Sequence, residues 1–169
     1  MKNKTAVLYF ILIFLFSQCA QNYGCVERVT IQDNVSKTES GFEFEPSYWI
    51  DLPCDYDVEN KIKTSKVVNN FTYQLVRYNY TPNTGNNASK LEFEVILENN
   101  NNFEIEGLPI FIMSGDGIEF SANYHVNSSS CSSISANSTC TFTYEKETPF
   151  TEESFSTLEL VGIKFLLPK

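Results

Sequence analysis

Residues 91–98 read LEFEVILE, and four asparagines follow at residues 99–102. Apolar side chains alternate with glutamates along this run, apart from Ile96 on the polar side. The apolar set is Leu91, Phe93, Val95 and Leu97. Successive side chains of an extended chain point to opposite faces, so this pattern predicts a strand with one face in a core. The asparagines end the pattern and predict a turn.

Further strands are predicted on both sides of this run. Downstream, residues 108–113 are apolar, SGDG at 114–117 predicts a turn, and residues 118–126 alternate again. Strands are also predicted at 140–145 and 158–167, with a bulge at Gly162, where the apolar phase shifts. Upstream, residues 67–80 are rich in Val, Phe and Tyr and predict one long or bent strand. A short helical turn is predicted near Val58 and Ile62.

The first twenty residues have the composition of an export signal. Lys2 and Lys4 precede an apolar run at residues 6–16, and the more polar SQCA follows at 17–20. These parts are typical of a secretory signal peptide, which we place at residues 1–19. The apolar run is much shorter than the roughly 20 residues that cross a bilayer. A polar arm is predicted at residues 20–40 and one all-β antiparallel β-sandwich domain at 41–169.

Cleavage of this signal has two interpretations. FSQC at residues 16–19 resembles a bacterial lipobox, in which Cys19 is lipidated, although Gln18 stands where that motif has a small residue. Ordinary cleavage beside Cys19 or Ala20 also fits. In either case four cysteines remain, and an even count in an exported chain predicts disulfides, with three possible connectivities. The Ser- and Asn-rich loop between Cys131 and Cys140 favours that pair, which leaves Cys25 with Cys54.

Charge excludes two classes of partner. The formal net charge is −9, and it becomes −11 without residues 1–20, which hold two lysines and no acid. A strongly acidic chain does not favour nucleic acid or docking on an anionic membrane, so membrane contact is predicted only through a lipid anchor. Four acids flank Cys54, at Asp51, Asp55, Asp57 and Glu59, but they lack a calcium-loop spacing and are predicted to be surface charges. No metal or cofactor is predicted.

The stretch 91–145 resembles the later strands of extracellular immunoglobulin-like modules and of small cellulose-binding sandwich modules. It contains an alternating strand, an Asn turn, an apolar strand and the small-residue turn SANS at 135–138 before TFTY at 141–144. The resemblance covers about 55 residues and is one of residue types. It implies an immunoglobulin-like β-sandwich and a role in binding or adhesion, without carrying over any ligand-contacting residue.

Aromatic side chains and sequons supply the candidate surface positions. Trp49, Tyr78 and Tyr80 are candidates for a contact surface, because aromatic rings suit protein contacts and sugar faces. Six mature sites match Asn-x-Ser/Thr: Asn34, Asn70, Asn79, Asn87, Asn127 and Asn137. In a eukaryotic secretory pathway these asparagines are glycan acceptors on the surface. The sequons favour a eukaryotic glycoprotein and Cys19 favours a bacterial lipoprotein, so both origins stay open.

Motifs of catalysis are missing from the sequence. The single histidine, His125, lies on the polar side of its predicted strand, and no nucleophile-elbow, zinc-protease or phosphate-loop motif occurs. We therefore predict a non-enzymatic binding or adhesion module that is secreted or displayed on the cell surface. Its expected partner is an extracellular protein or polysaccharide. The alternatives are a carbohydrate-binding module of the cellulose type and a small extracellular hydrolase that uses two of the 21 acids.

Overall fold

The computed structural model describes residues 24–125, 131–150 and 154–169. Strands dominate the described residues, with one short helix, α1 (Val58–Lys61). The strands are β1 (Val26–Ile31), β2 (Asn34–Thr38), β3 (Gly41–Glu45), β4 (Tyr48–Pro53), β5 (Lys66–Val67), β6 (Phe71–Thr81), β7 (Ala88–Asn99), β8 (Ile105–Glu106), β9 (Leu108–Gly115), β10 (Ile118–Ala122), β11 (Ser133–Ile134), β12 (Ser138–Pro149) and β13 (Leu158–Leu167). In the described residues no helix has the length and apolarity to cross a membrane.

Two antiparallel sheets face each other across the main core. One has the strand order β12-β7-β6 and the other has the order β10-β9-β13-β5. Phe93 of β7 lies 5.1 Å from Phe111 of β9, ring centroid to centroid, and Phe111 lies 5.0 Å from Phe142 of β12. All three side chains are fully buried, and burial of each stabilises the fold by about 2 kcal/mol. The structure thus confirms the predicted all-β sandwich.

The alternation at residues 91–98 places its apolar side in this core, as predicted. Leu91, Phe93, Val95 and Leu97 are buried. The asparagine run ends the strand through a buried network in which the Asn99 amide donates to the carbonyls of Phe103, Ile134 and Ser135. The amide nitrogen of Asn101 donates to Oδ1 of Asn99 at 3.0 Å. These bonds satisfy polar groups that would otherwise be buried without partners.

Two antiparallel ribbons extend the N-terminal part of the fold. β1 pairs with β4, and β2 pairs with β3. Val35 of β2 is fully buried against Leu108, Ile110 and Leu166, which lie on the four-stranded sheet. The ribbon β2–β3 therefore covers the outer side of that sheet as a third layer. The predicted division between a polar arm at 20–40 and a domain from residue 41 falls inside the β2–β3 hairpin and does not separate two parts of the fold.

A buried carboxylate joins the ribbons to the sandwich. Asp33 lies between β1 and β2 and is only 4% exposed. Its Oδ2 accepts hydrogen bonds from Ser121 Oγ at 2.5 Å and Lys164 Nζ at 2.6 Å, and its Oδ1 accepts one from the Ser47 backbone. Burial alone raises the pKa of Asp33, but the Lys164 ion pair and these hydrogen bonds outweigh it, so the pKa is lowered.

Two disulfides match the favoured pairing. Cys25 is bonded to Cys54 and Cys131 is bonded to Cys140. The first closes the β1–β4 ribbon one residue beyond its last pair, Val26 with Pro53. The second joins the buried Cys131 to β12. The signal peptide and the candidate lipidation of Cys19 lie outside the described residues.

Local predictions agree with the strand bounds in most places. The predicted turn at 114–117 joins β9 to β10, with positive φ at Asp116 and Gly117. The register of β13 against β9 shifts between Leu160 and Gly162, which confirms the predicted bulge. The helical turn α1 occurs where it was expected, capped by the Asp57 carboxylate on the Asn60 backbone. The predicted strand at 67–80 is divided into β5 and β6 by a turn at Asn70.

Candidate functional site

A cavity of about 190 Å³ opens at one end of the sandwich. It arises where side chains on the inward side of β12 change from apolar to polar. Phe142 and Tyr144 are buried in the core, and Lys146 and Thr148 continue the same side of the strand and line the cavity. On the neighbouring strand β7, Ser89 lies opposite Thr148 and also lines it. Lys146 and Thr148 are exposed and Ser89 is half-buried, so these polar side chains lie at the mouth of the cavity, where the strands leave the core.

Aromatic rings form the walls of this cavity. The ring centroids of Tyr124 and Tyr144 lie 4.5 Å apart. Phe155 stacks on Phe120 at 5.4 Å, and its backbone carbonyl accepts a hydrogen bond from the Tyr80 hydroxyl at 2.7 Å. Packed and bonded in this way, the rings present rigid apolar faces to whatever enters the cavity.

The turn between β9 and β10 holds Phe155 in position. Asp116 accepts hydrogen bonds from the backbone of Ser156 at 3.1 Å and of Thr157 at 2.8 Å. These bonds hold the pKa of Asp116 below its usual value. A Cβ atom added at Gly115 would lie 2.4 Å from the Phe155 ring, so only glycine allows this close approach. The turn therefore fixes one wall of the cavity.

Two phenols of the cavity remain protonated over a wide pH range. Burial raises the pKa of Tyr124, and the neighbouring phenols of Tyr144 and Tyr78 raise it further. Burial also raises the pKa of Tyr144. Within the described part of the chain neither hydroxyl forms a hydrogen bond. Both are therefore neutral donors that are available to a ligand.

Of the lining residues that the structure describes, Lys146 is the charged one. It forms no ion pair with any residue that the structure describes. Lys90 shows the contrast, because its ammonium lies 2.7 Å from a Glu92 oxygen and 2.6 Å from a Glu145 oxygen on the outer side of the sheet. Among the lining residues that the structure describes, the cavity thus combines aromatic walls with a lysine that has no ion-pair partner.

The predicted contact residues lie in two different places. Trp49 is 60% exposed on β4 of the ribbon, and the Arg28 guanidinium carbon lies 4.0 Å from its ring centroid. Arg28 also forms a 3.0 Å ion pair with Asp51. Tyr78 faces into the sandwich, where its hydroxyl donates to the Leu158 carbonyl at 2.7 Å and burial raises its pKa to about 12. Tyr80 is the one of the three candidates that lines the cavity.

Apart from Tyr80, the lining residues were not among the sequence candidates, and these include Tyr124, Tyr144, Lys146 and Phe155. They come from separate segments of the chain, so no spacing in the sequence unites them. The available signal was in β12, where Lys146 and Thr148 follow Phe142 and Tyr144 at intervals of two. His125, which sequence phase placed among exposed residues, is half-buried in the structure.

The sequons differ in their accessibility. Asn34 is buried at 3% exposure, its amide nitrogen donates to the Gln32 carbonyl, and its oxygen accepts from the Ser65 backbone. Asn34 is therefore not the surface position that its sequon predicted. Four other sequon asparagines are exposed: Asn70, Asn79, Asn87 and Asn137. Asn127 lies outside the described residues.

Comparison with protein-family models, with curated proteins and with solved structures finds no match to this chain.

Proposed function

We propose that this chain is an exported, non-enzymatic binding module that takes up a ring-shaped group of an extracellular partner in the tyrosine-lined cavity. Export is supported by the N-terminal composition and by two disulfides, since disulfides persist in oxidising compartments. Binding is supported by a cavity whose lining joins the aromatic side chains of Tyr80, Tyr124, Tyr144 and Phe155 to the polar side chains of Ser89, Lys146 and Thr148. The immunoglobulin-like resemblance of residues 91–145 points in the same direction.

The size of the cavity favours a single residue of a polysaccharide. A volume of about 190 Å³ is below the 300–1,000 Å³ of sites for drug-sized ligands, so it suits one ring. Aromatic walls match the apolar faces of a sugar ring, and the hydroxyls of Tyr124 and Tyr144 can donate to its oxygens. This supports the carbohydrate-binding alternative over a flat protein contact at the same place. The lining offers phenols, aliphatic groups and one lysine, which suit binding better than bond cleavage.

Filling the cavity tests this function. Thr148→Leu adds apolar volume at the lining of the cavity, whereas Thr139→Leu makes the same change on the opposite side of the same strand. We expect wild-type protein and Thr139→Leu to sediment with an insoluble polysaccharide that they bind, and Thr148→Leu to remain in the supernatant. Equal sedimentation of the two variants, with both folded by circular dichroism, would place binding elsewhere.

The exposed ring of Trp49 supports protein adhesion as a second candidate function. Arg28 stacks on Trp49 on a ribbon closed by Cys25–Cys54, and Trp and Arg are enriched at the centres of protein interfaces. Cell adhesion lost in Trp49→Ala and kept in Thr148→Leu supports this candidate. The reverse pattern supports the cavity.

A further inference from the structure

We infer that the cavity recognises an acidic sugar, with the ligand carboxylate bound to the ammonium of Lys146. This inference rests on the proposed function and names its ligand class. It starts from an imbalance of charge: the chain has a net charge of −9, yet the charged group in the lining of its cavity is a cation. An unpaired lysine beside apolar walls favours an anionic ligand over a neutral one.

The acids that the structure describes on β7 and beside Lys146 on β12 are directed away from the cavity. Glu145 and Glu147 flank Lys146 in sequence, and alternation along β12 places them on the opposite side of the strand. Glu145 pairs with Lys90 at 2.6 Å, and Glu147 accepts a hydrogen bond from Thr84 at 2.7 Å. Neither carboxylate forms an ion pair with Lys146. Glu92, Glu94 and Glu98 lie on the outer side of β7 as well, since the residues between them face the core.

The hydrogen-bonding groups of the cavity match a ligand rich in acceptors. Lys146 has three N–H donors and no acceptor, and the protonated phenols of Tyr124 and Tyr144 can each donate. A carboxylate offers two acceptor oxygens, and a sugar ring adds an ether oxygen and hydroxyls. The ring then lies against the faces of Tyr144 and Phe155 while its carboxylate reaches Lys146. A neutral sugar makes the same ring contacts but cannot form the ion pair with Lys146.

The test is a set of NMR titrations of the full-length protein with three probes. D-glucuronate is the acidic sugar, D-glucuronamide is its neutral analogue of the same shape, and benzoate carries a carboxylate on a flat aromatic ring. Lys146→Ala removes the cation, Lys146→Arg keeps a positive charge, and Lys63→Ala is the matched control on an exposed lysine outside the cavity. Thr148→Leu fills the cavity and so shows whether the chemical-shift changes come from binding there.

We expect glucuronate to bind about tenfold more tightly than glucuronamide, the size expected for one charged hydrogen bond. Lys146→Ala should remove that difference, and Lys146→Arg and Lys63→Ala should retain it. Equal affinity for the acid and the amide, still sensitive to Thr148→Leu, overturns the acidic preference and leaves the proposed function standing. Tighter binding of benzoate than of glucuronate would overturn the assignment of a sugar as the ligand. If no probe causes chemical-shift changes that Thr148→Leu removes, the inference and the proposed carbohydrate site are both overturned.

Discussion

Asp33 shows how one side chain attaches the N-terminal ribbons to the sandwich. Its carboxylate is buried between Ser47 of the ribbon side and Ser121 and Lys164 of the four-stranded sheet. The 131 residues that separate Asp33 from Lys164 make this contact a long-range one. A buried charge with several donors is stabilising only while its partners remain, because an unpaired charge is costly in a core.

Replacing Asp33 by Asn should lower the free energy of unfolding by about 2 kcal/mol. Removing one partner of a fully buried ion pair costs about 3–5 kcal/mol, and Lys164 retains some hydration here. Urea unfolding followed by circular dichroism measures the loss. Asp51→Asn is the control, because it breaks the exposed pair with Arg28 and should have a much smaller effect. Similar losses for both variants would contradict an anchoring role for Asp33.

The contribution of Asp33 should depend on pH in one direction. Its pKa is lower in the folded protein than the ordinary 3.8, so the folded state binds the proton less readily than the unfolded state. The resulting stability is present above pH 3.8 and is lost as the pH falls through the folded pKa. The stability difference between wild type and Asp33→Asn should therefore narrow below pH 3.8. Urea midpoints from pH 7 to pH 2.5 measure it, and a constant difference would contradict this assignment.

Gly107 is a second residue whose identity the packing dictates. A Cβ atom at this position would lie 2.0 Å from the backbone oxygen of Leu166, and backbone cannot move aside as a flexible side chain can. Gly107→Ala should destabilise the protein by about 3 kcal/mol, at the upper end of the usual cost of overpacking. Gly24→Ala, where no atom lies within 4 Å, is the control. Thermal denaturation of both variants measures the difference, and equal midpoints would contradict the argument.

At the scale of elements, alternation predicts the strands that have one face in the core. β7, β10, β12 and β13 were predicted for this reason. β1 gave no such signal, because both faces of the β1–β4 ribbon are largely in solvent and apolar and polar residues occur on each. The burial of Val35 depends on Leu108 and Leu166, far away in sequence, so a local pattern does not contain it. The cavity escaped prediction likewise, since its walls come from distant segments and only β12 carried a local signal.

The β1–β4 ribbon should depend on its disulfide more than the sandwich does. A two-stranded ribbon is only marginally stable in water, and Cys25–Cys54 closes this one across a separation of 29 residues. The double variant Cys25→Ser/Cys54→Ser loses on the order of 3 kcal/mol of chain-entropy stabilisation. Hydrogen exchange should accelerate in residues 26–31 and 48–53 and remain slow in β7. Unchanged exchange in the ribbon would show that its contacts suffice without the disulfide.

At the scale of the whole molecule, the β2–β3 ribbon and the two sheets of the sandwich form three layers with two apolar clusters. The larger cluster lies between the sheets, and the smaller one lies between β2–β3 and the four-stranded sheet. Strands β9 and β13 contribute to both clusters, through Phe111 and Phe165 on one side and Ile110 and Leu166 on the other. A substitution that disrupts the packing of one cluster should therefore destabilise the other.

Shared strands predict one cooperative unfolding transition. Trp49, the single tryptophan, reports on the ribbon by fluorescence, whereas far-ultraviolet circular dichroism reports on all the sheets. The two urea midpoints of the wild-type protein should coincide, as they do in two-state unfolding. In the Cys25→Ser/Cys54→Ser variant the fluorescence midpoint should move to lower urea than the dichroism midpoint. Separate midpoints in the wild-type protein would mean that the β1–β4 ribbon unfolds independently of the sheets.

The third layer has a consequence for the order in which this chain folds. Val35 is covered by residues 108–110 and 166, and its backbone carbonyl accepts a hydrogen bond from Lys169 at 3.0 Å. A ribosome delivers residue 35 more than 70 residues ahead of residues 108–110 and more than 130 ahead of residues 166 and 169. During synthesis the apolar side of the β2–β3 hairpin therefore stays uncovered until these residues follow. Packing of the hairpin on the four-stranded sheet is then among the last and slowest events of folding.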